Sequence, residues 1–176
     1  MSNIIDAHSH YMPPAVAKNT AFFKVAWSDV DRQLSLMDEC GIEKALLLYP
    51  TSDAHVNMGG WQKVCDAYNP AIADIVNVHE GRFIGAGILP ADSPELFEDE
   101  LKRIQDLGLK VITLASSYDG LYLDDERFYG IYTFARDHNM PIHVHPQIMN
   151  PIGEDRVRDP LLTPVLEYVF DVSVCI

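Results

Sequence analysis

Basic residues are scarce in this chain of 176: 13 Lys and Arg stand against 26 Asp and Glu, a formal charge of -13. A surface so acidic repels phosphate backbones and anionic lipid head groups, which argues against nucleic acid and membrane partners. Long apolar runs are missing too. None approaches the roughly 20 residues that span a bilayer, and Met1 to Asp6 has neither the basic start nor the apolar stretch of a secretory signal. Cysteine is limited to Cys40, Cys65 and Cys175, odd in number, far apart and set in apolar or helical patterns. They support no CxxC metal site and no disulfide framework, and they read as reduced core thiols of a cytoplasmic protein. With no low-complexity segment or linker, one domain over residues 1–176 is expected.

What is present alternates. Asn3 to His8 reads as a first strand, closed by Pro13-Pro14. Ser28 with Asp31 suggests a capping arrangement for a helix over about Asp29 to Cys40, with Gly41 at the left-handed stop. Lys44 to Tyr49 is a second, continuously apolar strand. Helical pattern resumes near Trp61 and runs toward His79, with Asn69-Pro70 as a possible interruption. Arg82 to Leu89 and Lys110 to Leu114 give strands three and four, with a helix capped by Ser93-Pro94 between them. Asp124 to His138 is helical, Pro141 to His145 makes a fifth strand, and Leu161 to Val174 is again helical. Strands alternating with helices imply right-handed βαβ units and a parallel sheet. The class is α/β: a partial TIM-like (β/α) barrel of about five parallel strands, lacking the C-terminal ones, or else an open sheet, since a closed barrel needs eight units and about 250 residues.

Asp6-Ala7-His8-Ser9-His10 puts two imidazoles two residues apart at the end of the first strand, where the pleat points both to one side. His143-Val144-His145-Pro146 repeats the arrangement at the end of the fifth. In parallel α/β folds the C-terminal strand ends hold the active site. Neutral imidazole suits borderline divalent metals, and three nitrogens with an open position describe a catalytic site, zinc being the first expectation. The bland alternative is that strand-end histidines cap loops or bond backbone carbonyls.

Ile5-Asp6-Ala7-His8-Ser9-His10, the Gly81-Arg82-Phe83-Ile84-Gly85 strand ending at Leu89-Pro90, and Pro141-Ile142-His143-Val144-His145-Pro146 together resemble the amidohydrolase superfamily. The similarity is nearest to the branch that contains aminocarboxymuconate-semialdehyde decarboxylase and related aromatic-acid decarboxylases, and Leu161 to Asp171 resembles its helix before strand six. The resemblance implies His8, His10 and His145 as metal ligands, with His143 one layer deeper. It also implies a histidine from a sixth strand and an aspartate base from an eighth, neither of which this sequence contains, so the chain reads as the N-terminal part of such a barrel. The expected activity is metal-dependent hydrolysis or non-oxidative decarboxylation of a small carboxylated substrate. The rival expectation is an inactive truncated barrel serving as an oligomeric scaffold.

Other residues carry weaker expectations. His55 sits in the loop after the second strand, as a substrate contact or a solvated side chain. His79 and His138 fall at helix C-termini, where imidazolium suits the dipole. Arg156 and Arg158 are either a substrate-carboxylate clamp or solvated charge. Tyr11 and Trp61 are mouth or core residues, and Asp119 or Asp155 are candidates to replace the missing base. The run Glu95, Glu98, Asp99, Glu100 reads as a solvated helix face. Ile4, Ile5, Ile142 and Val144 leave apolar edges on the first and fifth strands, which predicts a homo-oligomer, first of all a two-fold dimer.

Overall fold

The strands in chain order are β1 (Ile4–His10), β2 (Ile42–Leu48), β3 (Phe83–Gly87), β4 (Val111–Ala115), the two-residue pair β5 (Ser117–Tyr118) and β6 (Leu121–Tyr122), and β7 (Ile142–His145). The structure is a computed structural model that describes residues 4–21, 27–147, 161–162, 165–166 and 168–175. Five strands pair in parallel in the order β1-β2-β3-β4-β7, and β5 with β6 forms a separate antiparallel hairpin. Between them run α1 (Pro14–Ala17), α2 (Val30–Cys40), α3 (Ala54–Met58), α4 (Trp61–Val78), α5 (Phe97–Asp106) and α6 (Tyr129–Asp137), followed by α7 (Tyr168–Ser173). This is the α/β half-barrel that the alternation implies. No helix among the described residues is long and apolar enough to cross a membrane.

The sheet is strongly curled. β1 and β7 are its two edges, four strand spacings apart, which is about 19 Å in a flat sheet. Yet the rings of His8 on β1 and His143 on β7 lie with centroids 5.0 Å apart. Only rolling of the sheet brings them together, as in the wall of a barrel. β1 carries register irregularities between Ile4 and Ile5 and between Asp6 and Ser9, and the His8 N–H donates to Asp6 Oδ1 at 3.0 Å. Bulges of this kind re-aim side chains at barrel rims.

The local chemistry explains most boundaries and corrects several. Asp29, not Ser28, caps α2 by accepting from Arg32 N at 2.9 Å, because Ser28 donates instead to Met12 O at 2.6 Å. Gly41 ends that helix at φ 68, as expected. α4 runs straight through Pro70; Tyr68 and Ile72 on either side are fully buried, so packing offsets the lost backbone bond. Ser93 makes no side-chain cap, and a 3-10 turn precedes α5. α6 starts later than Asp124, after the β5–β6 hairpin and a 3-10 turn capped by Asp125. Within the Leu161 to Val174 pattern, α7 spans Tyr168–Ser173 and residues 165–166 are also helical among the described residues. Cys65 and Cys175 are buried thiols, whereas Cys40 is exposed at the last turn of α2.

Glu100 is the largest departure from the solvated-face reading. It is buried, since it shares the side of α5 defined by Phe97, Leu101 and Ile104. Asn69 of α4 donates to Glu100 Oε1 at 2.7 Å and exchanges bonds with both backbone groups of Ile88, just past β3. One amide thus pins two helices to the third strand's exit.

β3 accepts those helices closely because it lacks side chains at two points. A Cβ on Gly85 would lie 2.5 Å from Leu109 Cδ2 and 2.8 Å from Ile72 Cγ2. Gly85→Ala is therefore expected to destabilise the chain by about 1–3 kcal/mol through overpacking. Gly130→Ala, on exposed α6 with nothing within 4 Å of the new carbon, is expected to be neutral or stabilising. Thermal unfolding of the pair checks the contrast.

Candidate metal centre

The period-2 pleat sends His8 and His10 from β1, and His143 and His145 from β7, toward the same concave face. One ring nitrogen from each of His8, His10 and His145 lies within 4.8 Å of the others. Ring centroids are 4.8 Å apart for His8 and His10, 5.2 Å for His8 and His145, and 5.0 Å for His10 and His145. His145 is buried, His10 half-buried and His8 exposed at the β1 edge. All of these residues stand at the C-terminal strand ends, where βα loops build sites.

Hydrogen bonds fix which nitrogens are available. His145 Nδ1 is 2.8 Å from Pro146 O and His10 Nδ1 is 3.4 Å from Leu48 O. A carbonyl only accepts, so both Nδ1 atoms carry the proton and both Nε2 atoms keep their lone pairs. His8 Nε2 stands 3.1 Å from His10 Nε2. Burial pushes the imidazolium of His10 down to about 3, helped by its histidine neighbours, and that of His145 to about 4. Burial lowers His8 and His143 as well, with Asp6 opposing the shift at His8. Neutral rings with converging lone pairs, braced by backbone carbonyls, fit a divalent cation. The His143 Nδ1 is a buried nitrogen without a protein partner, facing the same interior.

The surroundings were only partly legible. Trp27 stacks on His10 at 4.6 Å and 14°, a contact that no local pattern announces. Thr51 Oγ1 lies 3.2 Å from His145 Nδ1. The exit of β7 is tied down by a buried carboxylate: Gln147 N donates to Asp171 Oδ2 at 2.7 Å and to Ser116 Oγ at 2.9 Å, and the Ser116 hydroxyl donates to the same Asp171 oxygen. Ser116 N in turn donates to His145 O at 2.8 Å. α7 therefore grips the strand end that carries His145.

Other expectations resolve case by case. His55 is half-buried and not in the cluster; it lies on α3 with its ring stacked on Trp61 at 4.5 Å and 10°. Tyr11 and Trp61 are buried core residues. His79 and His138 follow the ends of α4 and α6. Asp119 occupies the exposed β5–β6 turn at φ 51, a left-handed conformation that Asp tolerates, and is not part of the cluster. Arg156, Arg158 and Asp155 lie outside the described residues.

A half-barrel with three imidazoles at its C-terminal strand ends has the architecture of the metal-dependent (β/α) barrels. The match to the amidohydrolase family covers residues 5–171, and the chain belongs to that family. It is 34% identical over 113 residues to the 2-amino-3-carboxymuconate-6-semialdehyde decarboxylase of Dictyostelium discoideum, an alignment that covers 60% of this chain and 31% of that protein. The 5-carboxyvanillate decarboxylase of Sphingomonas paucimobilis has the same fold, with a TM-score of 0.80 at 20% identity, over 97% of this chain and 60% of that one. So does the dihydroxybenzoic acid decarboxylase of Polaromonas sp. JS666, solved with manganese and the inhibitor 2-nitroresorcinol, at a TM-score of 0.77 and 22% identity, over 99% of this chain and 59% of that one. The chain thus spans between 31% and 60% of the length of these relatives.

The depressed imidazole pKa values set a pH dependence. Below the ordinary value of 6.5 the unfolded chain takes up protons that folded His10 and His145 refuse until about 3 and about 4. Stability contributed by their neutral state is whole above 6.5 and declines as pH falls from 6.5 toward 4. The melting temperature of metal-free protein is expected to fall over this window, with a shallower slope in a His10→Gln, His145→Gln variant. An identical slope in the variant contradicts the assignment.

Proposed function

We propose that this chain carries the metal-binding half of an amidohydrolase-type decarboxylase site, with His8, His10 and His145 as ligands of one divalent ion. The observation that carries the reading is the convergence of three neutral imidazoles on one point at the strand ends, two of them, His10 and His145, braced by backbone carbonyls. When bound, such an ion supplies positive charge that polarises a carboxylate or carbonyl oxygen of the substrate. The chain's own part is to hold the nitrogens. Burial of His10 and His145 keeps them unprotonated at neutral pH, and the stacked Trp27 indole keeps the His10 ring from rotating. The similar decarboxylases support non-oxidative decarboxylation over hydrolysis and a carboxylated, aromatic small molecule as substrate. On donor softness we favour zinc; manganese, present in the Polaromonas enzyme, is the competing occupant. Three free thiols suit a reducing cytoplasm.

Elemental analysis tests the centre directly: about one divalent ion per chain, lost in His10→Ala and His145→Ala, is the expected result. Metal content unchanged in both variants sinks it. Among the described residues no carboxylate joins the three histidines. With general acid–base help worth about 10²–10⁴-fold, the 176-residue chain is expected to bind metal while showing no measurable decarboxylation of 2,6-dihydroxybenzoate. Robust turnover abolished by His10→Ala would place a base within the chain.

The scaffold reading draws on one observation, the apolar surface left open. Ile4 and Ile5 on the β1 edge are 46% and 55% exposed, and Val169 and Phe170 on α7 are 64% and 51% exposed. Such a face favours self-association, so light scattering at micromolar concentration is expected to show a homo-oligomer, with a two-fold dimer the simplest form. A monodisperse monomer with little binding of a hydrophobic dye overturns this.

A further inference from the structure

We infer that Thr51 is a positioning residue for His145, held in an unfavourable backbone conformation so that its hydroxyl reaches the imidazole; the inference rests on the metal reading above. Thr51 has φ 33. A β-branched side chain in that region crowds its own backbone, and such residues persist only where the surroundings over-determine them.

The surroundings do so. Thr51 follows the exit of β2 and is buried. Before it, Tyr49 is buried and its hydroxyl is bonded to Ser52 Oγ at 2.6 Å. After it, Ser52 Oγ accepts from Ala54 N at 3.3 Å, and His55 Nδ1 reaches Ser52 O at 3.2 Å. Asp53 is clasped from a different segment, accepting from the Thr20 hydroxyl at 2.6 Å and from Ala21 N at 3.3 Å. Tyr49, Ser52, Asp53, Ala54 and His55 together constrain the backbone around Thr51. None of their bonds needs the Thr51 side chain. The Thr51 hydroxyl instead meets His145 Nδ1, 94 positions away in sequence, at 3.2 Å.

The consequence at His145 is orientation. Pro146 O already sets the tautomer, since it accepts from Nδ1 at 2.8 Å. A carbonyl on the next residue belongs to the histidine's own backbone, however, and does not tie the ring to another strand. Thr51 sits on another strand's exit, so a second oxygen from there fixes the ring plane against the rest of the cluster. Groups that bond the far nitrogen of a ligating histidine are worth about 10–100-fold in metal affinity.

The test separates the hydroxyl from the fold. Thr51→Val keeps the branched shape and removes the hydroxyl, Thr51→Ser keeps the hydroxyl, and Thr51→Gly removes both the hydroxyl and the backbone conflict, so it folds even if the valine variant does not. By chelator competition with zinc and with manganese, the valine and glycine variants are expected to bind about 10–100-fold more weakly than wild type, and the serine variant within about threefold. Thr51→Gly is expected to unfold, metal-free, no lower in temperature than wild type. A merely structural threonine would instead lose stability in the glycine variant and leave affinity alone. Glycine or valine variants that bind as tightly as wild type overturn the inference, as does a serine variant as weak as valine. A metal-free readout keeps it distinct from the metal reading: nitrogen-resolved NMR is expected to show one sharp Nδ1–H state for His145 in wild type and a broadened or mixed one in Thr51→Val. Identical spectra overturn the positioning role, whereas absence of metal from wild type overturns the metal reading alone.

Discussion

The curl of the parallel sheet is the constraint on which everything else depends. Hydrogen bonding orders the strands β1-β2-β3-β4-β7, which puts the two histidine-bearing strands at opposite edges. Parallel pairing with right-handed twist, loaded with helices on the outer face, rolls the sheet until those edges face each other across its concave side. The 5.0–5.2 Å ring separations between β1 and β7 measure that closure. If the sheet flattened, the same four histidines would become two unrelated pairs.

Buried polar groups hold the curl in register. Asn69 and Glu100 lock α4 and α5 onto the exit of β3, while Asp171 and Ser116 lock α7 and the exit of β4 onto that of β7. A buried group that loses its partner costs about 1–3 kcal/mol, so each clasp tolerates one arrangement only. Apolar packing would allow the helices to slide; these bonds do not. The precision is spent at the strand exits, where the imidazoles stand.

Legibility followed the range of the interaction concerned. The α2 stop at Gly41, the strand runs and the two HxH pairs are set by neighbours a few residues away, and they stood out in the sequence. Glu100 was misread because charge was weighed before helical phase: it falls on the same stripe as Phe97, Leu101 and Ile104. Asn69-Pro70 leaves an interruption of the helix open on local grounds, and the buried flanks of α4 override the one missing bond. Ser28 looked like a cap until Met12 O, sixteen positions back, took its hydroxyl.

By itself, then, the sequence determined the α/β class and the family and singled out His8, His10 and His145 as candidates, because alternation of period and strand-end spacing are local properties of a chain. Only the tertiary structure decided that these three meet, that the Nε2 atoms of His8 and His10 face one another, and that Trp27 and Thr51 stand against the cluster. The contacts of His145 with His8 and with Thr51 join β1 to β7 and β2's exit to β7 across 94 to more than 130 positions. They exist only once the sheet has rolled, and the roll is a sum over all five strands that no single segment encodes.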